Sequence, residues 1–109
     1  MDEIADQRRA RLEVTAEPKE NGLAARLGGE LDLVGLSDVQ PDLDRLLGLP
    51  RQPLRIDAGE LAFLDSSGVA VLIRLANHFT PVVLVHTTPS VRRVLQILGL
   101  GARFGLDGA

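Results

Sequence analysis

The chain has 109 residues, of which 45% are hydrophobic and 25% charged, with a formal net charge of −3 and no cysteine. These values fit one soluble globular domain and exclude disulfides and thiol chemistry. The negative charge argues against nucleic-acid binding, as do the three phenylalanines, which lie in apolar stretches rather than among Lys and Arg.

The N-terminal part predicts an antiparallel hairpin after a polar lead over residues 1–10. Arg11–Glu17 alternates polar and apolar residues, which is the period of a half-buried strand. Pro18–Gly22 has turn chemistry with an Asn-Gly pair, and Leu23–Leu27 is predicted as the returning strand. The pair Gly28-Gly29 is predicted to end that strand.

A loop and a short helix are predicted next. Residues 29–36 carry two acids between apolar residues and are interpreted as the loop. Ser37 is the predicted N-cap, and Pro41 then falls in the opening turn, where a missing N–H breaks no helix bond. Gly48 and Pro50 are expected to stop the helix.

The central part contains the junction that is most informative about function. Leu54–Ala58 alternates as a short strand, and Val69–His78 is a largely apolar helix. Between them, Asp65–Gly68 places an acid, two hydroxyls and a glycine at the start of the helix. Pro81–Val85 is a continuous apolar run, which is typical of an interior strand.

The C-terminal part predicts a last helix and a closing strand. Thr88 is the expected N-cap with Pro89 at the first helical position, and residues 102–106 are predicted as a short edge strand. The order β-β-α-β-α-β-α indicates an α/β fold with a single-layer mixed sheet, an N-terminal antiparallel hairpin followed by β-α-β units, packed with about three helices. We expect one domain over residues 11–106 and a short tail over residues 107–109.

Enzyme chemistry has little support in the sequence. There is no phosphate-binding Gly-Lys-Ser/Thr run and no Gly-x-Ser-x-Gly elbow. His78 lies too far along its helix from Ser66 to act as its base. His86 follows a predicted strand, so it either lies near Ser66 at the end of that strand or is an ordinary loop histidine. Glu30 and Asp32 are too few for a cation site. We therefore expect a protein that is not an enzyme and that has no cofactor or metal.

Three segments together resemble the STAS domain family, and specifically its stand-alone anti-sigma factor antagonists. The segment 27–32 resembles the family's Gly-Glu-Leu-Asp strand end, and 64–69 resembles its Asp-Ser-Ser/Thr-Gly phosphorylation loop. The segment 89–95 resembles its last helix, which opens near a proline and carries basic residues. The resemblance covers about residues 11–106.

The resemblance implies a cytoplasmic bacterial partner-switching phosphoprotein. The unphosphorylated protein would bind an anti-sigma factor that is also a serine kinase, freeing a sigma factor for transcription. The kinase would phosphorylate Ser66 and the complex would dissociate, and a serine phosphatase would reset the switch. The implied partner-binding residues are Glu30, Asp32, Asp65, Ser66, Ser67 and Gly68.

Other interpretations of the same residues stay open. Ser66 is a plain helix cap in most proteins, Ser67 is a second candidate acceptor, and Asp65 is either a cap or a kinase-recognition group. A phosphate on Ser66 is expected to meet unpaired N–H groups at the helix start, so that it acts at an interface and does not unfold the domain. The alternative function is a STAS adaptor subunit of an ABC-type lipid transport complex.

Overall fold

The computed structural model describes residues 8–19 and 22–106, and the remainder of the predicted lead, the hairpin turn and the tail lie outside the described residues. The elements, in chain order, are β1 (Arg11–Lys19), β2 (Gly22–Leu31), α1 (Leu33–Leu47), β3 (Leu54–Leu64), α2 (Ser66–His78), β4 (Val82–Val85), α3 (Pro89–Ile97) and a 3-10 turn (Ala102–Phe104).

The described strands form one mixed sheet in the order β1-β2-β3-β4. β1 and β2 are antiparallel, with Lys19 opposite Gly22, whereas β2 pairs with β3 and β3 with β4 in parallel. The predicted opening hairpin and the parallel β-α-β units are therefore confirmed. The carboxyl ends of β2 and β3 lie side by side, and the candidate site residues lie at these ends.

One face of the sheet carries the core. Along β2 and β3, Leu27 and Ile56 are buried while Arg26 and Arg55 are exposed, as the two-residue period of a strand requires. The helices add their own buried stripes to a single cluster, with Leu43 of α1 among them. The residues that connect the strand ends to the helices lie at the edge of this core.

The second strand is longer than the sequence predicts. Gly28 and Gly29 do not end it; they lie at register shifts, and the strand continues to Leu31. Gly29 has a φ of +85°, and a Cβ there would lie 2.1 Å from the carbonyl oxygen of Arg9. The glycines thus allow a bulge and a close chain crossing rather than a stop.

The first helix begins earlier than predicted. Asp32 is its N-cap, not Ser37, and α1 starts at Leu33. The hydroxyl of Ser37 donates to the carbonyl oxygen of Val34 at 3.0 Å inside the helix. Pro41 consequently lies in the middle of α1 and not in its opening turn, while Gly48 caps the C-terminus as expected.

The last part of the chain confirms one prediction and corrects two. Thr88 caps α3 and Pro89 opens it, as predicted. β4 is an edge strand of the described sheet and not an interior one. The predicted closing strand is a 3-10 turn, because Gly105 takes a left-handed φ of 73° and the N–H of Leu106 donates to the carbonyl oxygen of Gly101 at 2.8 Å.

Candidate functional site

Two neighbouring strands end in the same local sequence. β2 ends in Leu31-Asp32-x-x-Gly35 and β3 in Leu64-Asp65-x-x-Gly68. Leu31 and Leu64 are partners in the parallel register, and the N–H of Asp65 donates to the carbonyl oxygen of Leu31 at 3.4 Å. α1 and α2 therefore begin side by side. The sequence analysis missed this repeat, although the pattern Leu-Asp-x-x-Gly occurs at both positions in the sequence.

Each aspartate of the repeated Leu-Asp-x-x-Gly pattern caps the helix that follows it. The Asp65 Oδ1 accepts hydrogen bonds from the N–H groups of Ser67 at 2.8 Å and Gly68 at 3.2 Å. The Asp32 Oδ1 accepts from the N–H of Gly35 at 2.7 Å. The N-cap of α2 is thus Asp65, and the hydroxyl of Ser66 is not needed for that purpose.

Both glycines of the repeated pattern allow a helix to approach a strand end closely. A Cβ at Gly68 would lie 2.3 Å from the carbonyl oxygen of Leu31 and 2.5 Å from Leu64 Cδ1. A Cβ at Gly35 would lie 2.3 Å from the carbonyl oxygen of Glu30. Neither position has room for a side chain, so Gly68 serves the packing of α2 against the sheet.

The two serines differ in accessibility. Ser66 is the first residue of α2, and its side chain is exposed. Ser67 is only partly exposed, and the following Gly68 is buried. Of the two hydroxyls, that of Ser66 is the more accessible to another protein.

The start of α2 offers fewer open donors than the sequence suggested. The N–H groups of Ser67 and Gly68 are held by the Asp65 carboxylate, and the N–H of Val69 donates to the Asp65 carbonyl oxygen at 2.9 Å. A phosphate on Ser66 would compete with Asp65 for these donors and add negative charge beside it. The N–H groups that were expected to stabilise a phosphate are therefore already occupied, and the phosphate would also be repelled by the Asp65 carboxylate.

Exposed apolar side chains accompany the serine. Leu33 and Val34, which occupy in α1 the positions that Ser66 and Ser67 occupy in α2, are 72% and 79% exposed. Phe63 is 49% exposed, although it lies in an apolar stretch of the sequence. We call this set the switch face, and it comprises Glu30, Asp32, Leu33, Val34, Phe63, Asp65, Ser66 and Ser67.

Sequence reasoning missed the apolar part of the switch face for a clear reason. Leu33 and Val34 were placed in a loop, and only the corrected start of α1 identifies them as the first two residues of a capped helix. Glu30 is the register partner of Phe63, which puts the acid and the ring on adjacent strands. The six residues that the resemblance implied lie at the carboxyl ends of β2 and β3 and at the starts of α1 and α2.

Each histidine contacts a residue other than Ser66. The ring of His86, whose backbone has a φ of 61°, lies with Nδ1 3.4 Å from Asp57 Oδ1. His78 Nε2 lies 2.6 Å from the carbonyl oxygen of Leu49. Across residues 8–19 and 22–106 no group of three or more His, Cys, Asp or Glu is placed to hold a metal ion.

Among the residues that the structure describes, Asp57 is the titratable group whose pKa departs clearly from its ordinary value. The N–H of Gly59 donates to its carboxylate at 2.9 Å and, as the largest effect, lowers the pKa of Asp57 below its ordinary value. Partial burial opposes this shift, and His86 and Arg26 add to it. Asp57 and His86 lie outside the switch face, and the shifted pKa of Asp57 bears on the stability of the fold.

Comparison with protein families places the fold and the site in context. The family model described as "Mlab, STAS domain" matches residues 14–106. The chain belongs to the STAS domain family. A comparison with curated proteins finds no match. In the described part of this STAS domain, no helix has the length and apolar character needed to cross a membrane.

Solved structures with the same fold include two of SpoIIAA. The anti-sigma factor antagonist SpoIIAA in its unphosphorylated form is 23% identical, with a TM-score of 0.61 over 85% of this chain and 83% of that one. The Bacillus cell fate determinant SpoIIAA in the phosphorylated form is 24% identical, with a TM-score of 0.54 over 85% and 86%. The mixed sheet with three helices is therefore a fold that this chain shares with both structures.

Proposed function

We propose that this STAS domain is an anti-sigma factor antagonist and is not an enzyme. In its unphosphorylated state it binds an anti-sigma factor with serine kinase activity in the cytoplasm, and so controls sigma-factor-dependent transcription. Phosphorylation of Ser66 releases the kinase, and a serine phosphatase restores binding. The observation that carries this proposal is the exposed hydroxyl of Ser66, which stands at the start of a helix already capped by Asp65.

The position of Ser66 suits a phosphoacceptor. A kinase needs a hydroxyl that it can reach and that the substrate's own structure does not occupy. Asp65 performs the capping that would otherwise engage the serine, and it fixes the backbone of the first turn through two hydrogen bonds. Ser66 is thus both accessible and held in a defined place.

The switch face also offers affinity for the unphosphorylated state. Leu33, Val34 and Phe63 present apolar area at the strand ends where α1 and α2 begin, and such area contributes roughly 25 cal/mol per Å² when a partner removes it from water. Glu30 and Asp32 add negative charge at its border. We assign these acids and Asp65 to partner contact, and we assign Gly68 to the packing that places Ser66.

Phosphorylation is proposed to act at the interface. A phosphate adds about −1.5 to −2 charges near neutral pH. On Ser66 it would lie beside the Asp65 carboxylate and among the apolar side chains that bind the partner. Loss of about 3 kcal/mol of binding free energy corresponds to a roughly hundredfold weaker complex, which one desolvated phosphate can produce.

The proposal is tested by paired affinity capture from a lysate of the source organism. The baits are the wild-type chain and Ser66→Asp, with Ser90→Asp as a matched control because Ser90 is an exposed serine in the first turn of another capped helix. We expect the wild type and the control to retain an ATP-binding serine kinase that Ser66→Asp loses. Equal retention by all three baits would contradict the switch.

A STAS adaptor subunit of an ABC-type lipid transport complex is the second candidate. The matched family model, "Mlab, STAS domain", is not named for a sigma-factor regulator, and a constitutive adaptor also needs a partner-binding face. In that case the wild-type and Ser66→Asp baits would both retain the same transporter ATPase and permease. The same experiment therefore separates the two functions.

A further inference from the structure

The outward side of α1 carries a groove that the switch residues do not explain. Its lining forms two rows of residues spaced four apart, which are Leu33, Ser37 and Pro41 in one row and Leu36, Gln40 and Asp44 in the other. The groove has a volume of about 550 Å³ and is open to solvent. It begins at Leu33, a member of the switch face, and runs along the helix away from it.

The shape of the groove favours a helix as its occupant. Rows spaced four residues apart on one helix form the grooves into which the ridge of another helix packs, typically at about −50°. Ser37 and Pro41 are compact and exposed, so a second backbone can approach α1 closely there. Apolar surface from Leu33 and Leu36 lies at the end next to the switch face.

The groove carries one carboxylate, that of Asp44, and among the residues whose side chains the structure describes no arginine forms an ion pair with it. Asp38 lies 3.5 Å from Arg9, and Asp42 lies 3.1 Å from Arg45. Asp44, the acidic residue of the groove, accepts instead a hydrogen bond from the neutral amide of Gln40 at 2.8 Å. Its negative charge is therefore available to a cation from outside.

Pro41 interrupts the hydrogen bonding of α1 at the same surface. It has no N–H, so it cannot donate the usual helix hydrogen bond to the carbonyl oxygen of Ser37. The groove therefore presents the Asp44 carboxylate at its far end, compact residues in its middle and apolar side chains at its start. A basic amphipathic helix complements this pattern.

We infer that the α1 groove is a second contact for the same partner kinase and receives one of its helices. That helix places an apolar side chain against Leu33 and Leu36 and an Arg or Lys opposite Asp44. The inference rests on the proposed function, because the occupant is the kinase that binds the switch face. Two contacts would let the groove set partner choice while Ser66 sets whether binding occurs.

The test measures the affinity of the kinase retained by the wild-type chain, purified, for charge variants of the full chain. Asp44→Lys is compared with Glu13→Lys, which makes the same charge change at an exposed residue of β1 outside the α1 groove. We expect Asp44→Lys to weaken binding by about tenfold, equivalent to about 1.4 kcal/mol, and Glu13→Lys by less than about twofold. The loss for Asp44→Lys should shrink at high salt, as an ion pair requires.

Folding and the underlying function are checked separately. Circular dichroism melting shows whether Asp44→Lys stays folded, and Asp44→Asn, which removes the charge without reversing it, should give a smaller loss in the same direction. Unchanged affinity of a folded Asp44→Lys for a kinase that still binds the wild type would overturn the groove contact alone. If the wild type retains no kinase, the proposed function and this inference both fail.

Discussion

At the residue scale, Asp65 links the fold to the switch. One carboxylate oxygen satisfies two amides of the first turn of α2, and the next residue is the proposed phosphoacceptor. The sequence analysis left open whether the aspartate or the serine caps the helix. The structure assigns the cap to Asp65, so substitutions at Asp65 should lower stability, whereas substitutions at Ser66 should change binding with little effect on stability.

The cap predicts the stability of Asp65 variants. Asp65→Ala leaves the N–H groups of Ser67 and Gly68 without their acceptor, and we expect the free energy of unfolding to fall by about 1–2 kcal/mol. Asp65→Asn keeps an acceptor oxygen, so its free energy of unfolding should fall by much less than that of Asp65→Ala. Urea denaturation measures both. Equal stability of Asp65→Ala and the wild type would contradict the capping role.

Asp57 predicts the sign of one pH effect. Its pKa is lowered in the folded state, first by the Gly59 N–H, so folding favours the carboxylate. The resulting stabilisation is present above the ordinary pKa of 3.8 and is lost as the pH falls through the lower folded pKa. Because the side chain is 41% exposed, the effect should be below about 1 kcal/mol.

Denaturation midpoints at neutral pH and below pH 3.8 check this sign. The wild type should lose more stability on acidification than Asp57→Asn, which cannot titrate at that position. A larger acid loss in Asp57→Asn than in the wild type would contradict it. No change in kinase binding is expected, since Asp57 lies outside the switch face.

At the element scale, the sequence predicted the pairing and order of the elements better than their ends. The hairpin, the parallel strands and the capped start of α3 follow from local alternation and turn chemistry. The start of α1 did not, because Asp32 and Ser37 are both good N-caps and only the continuation of β2 through its bulge decides between them. The final turn likewise depends on the packing of Phe104 and Leu106, which local periodicity does not show.

The helix–strand junction predicts a steric effect at Gly68. In Gly68→Ala, the new methyl would meet the Leu31 carbonyl oxygen at 2.3 Å, so we expect a loss of about 1–3 kcal/mol in the free energy of unfolding. Gly48→Ala is the control, since the nearest atom to its Cβ, the Arg45 carbonyl oxygen, is 3.4 Å away. Thermal denaturation compares them. Similar stability of the two variants would mean that α2 does not pack this closely.

At the scale of the whole molecule, the proposed switch changes a surface and leaves the fold intact. A negative charge at the first residue of α2 is favoured by the helix dipole and opposed by Asp65, so the two effects largely offset each other. We expect Ser66→Asp to retain the wild-type free energy of unfolding within about 1 kcal/mol. Unfolding of this variant, seen by circular dichroism, would contradict a purely interfacial mechanism.

The site could be predicted from the sequence only in part, for a reason that belongs to this scale. Motif resemblance identified the polar residues, whereas the apolar members of the switch face depend on where two helices start relative to one sheet edge. Leu33 was placed in a loop and Phe63 lies in an apolar stretch, and only the parallel register of β2 and β3 shows that both lie near the strand ends where α1 and α2 begin. Exposure of this kind is a property of the assembled sheet.

The most direct test is the affinity of the purified kinase for the chain before and after phosphorylation, with the modified residue mapped by mass spectrometry. We predict a single phosphate on Ser66 and binding weakened by about a hundredfold or more, with Ser66→Ala remaining bound in the presence of ATP. A phosphate mapped to another residue, or equal affinity of the two forms, would contradict the proposed switch.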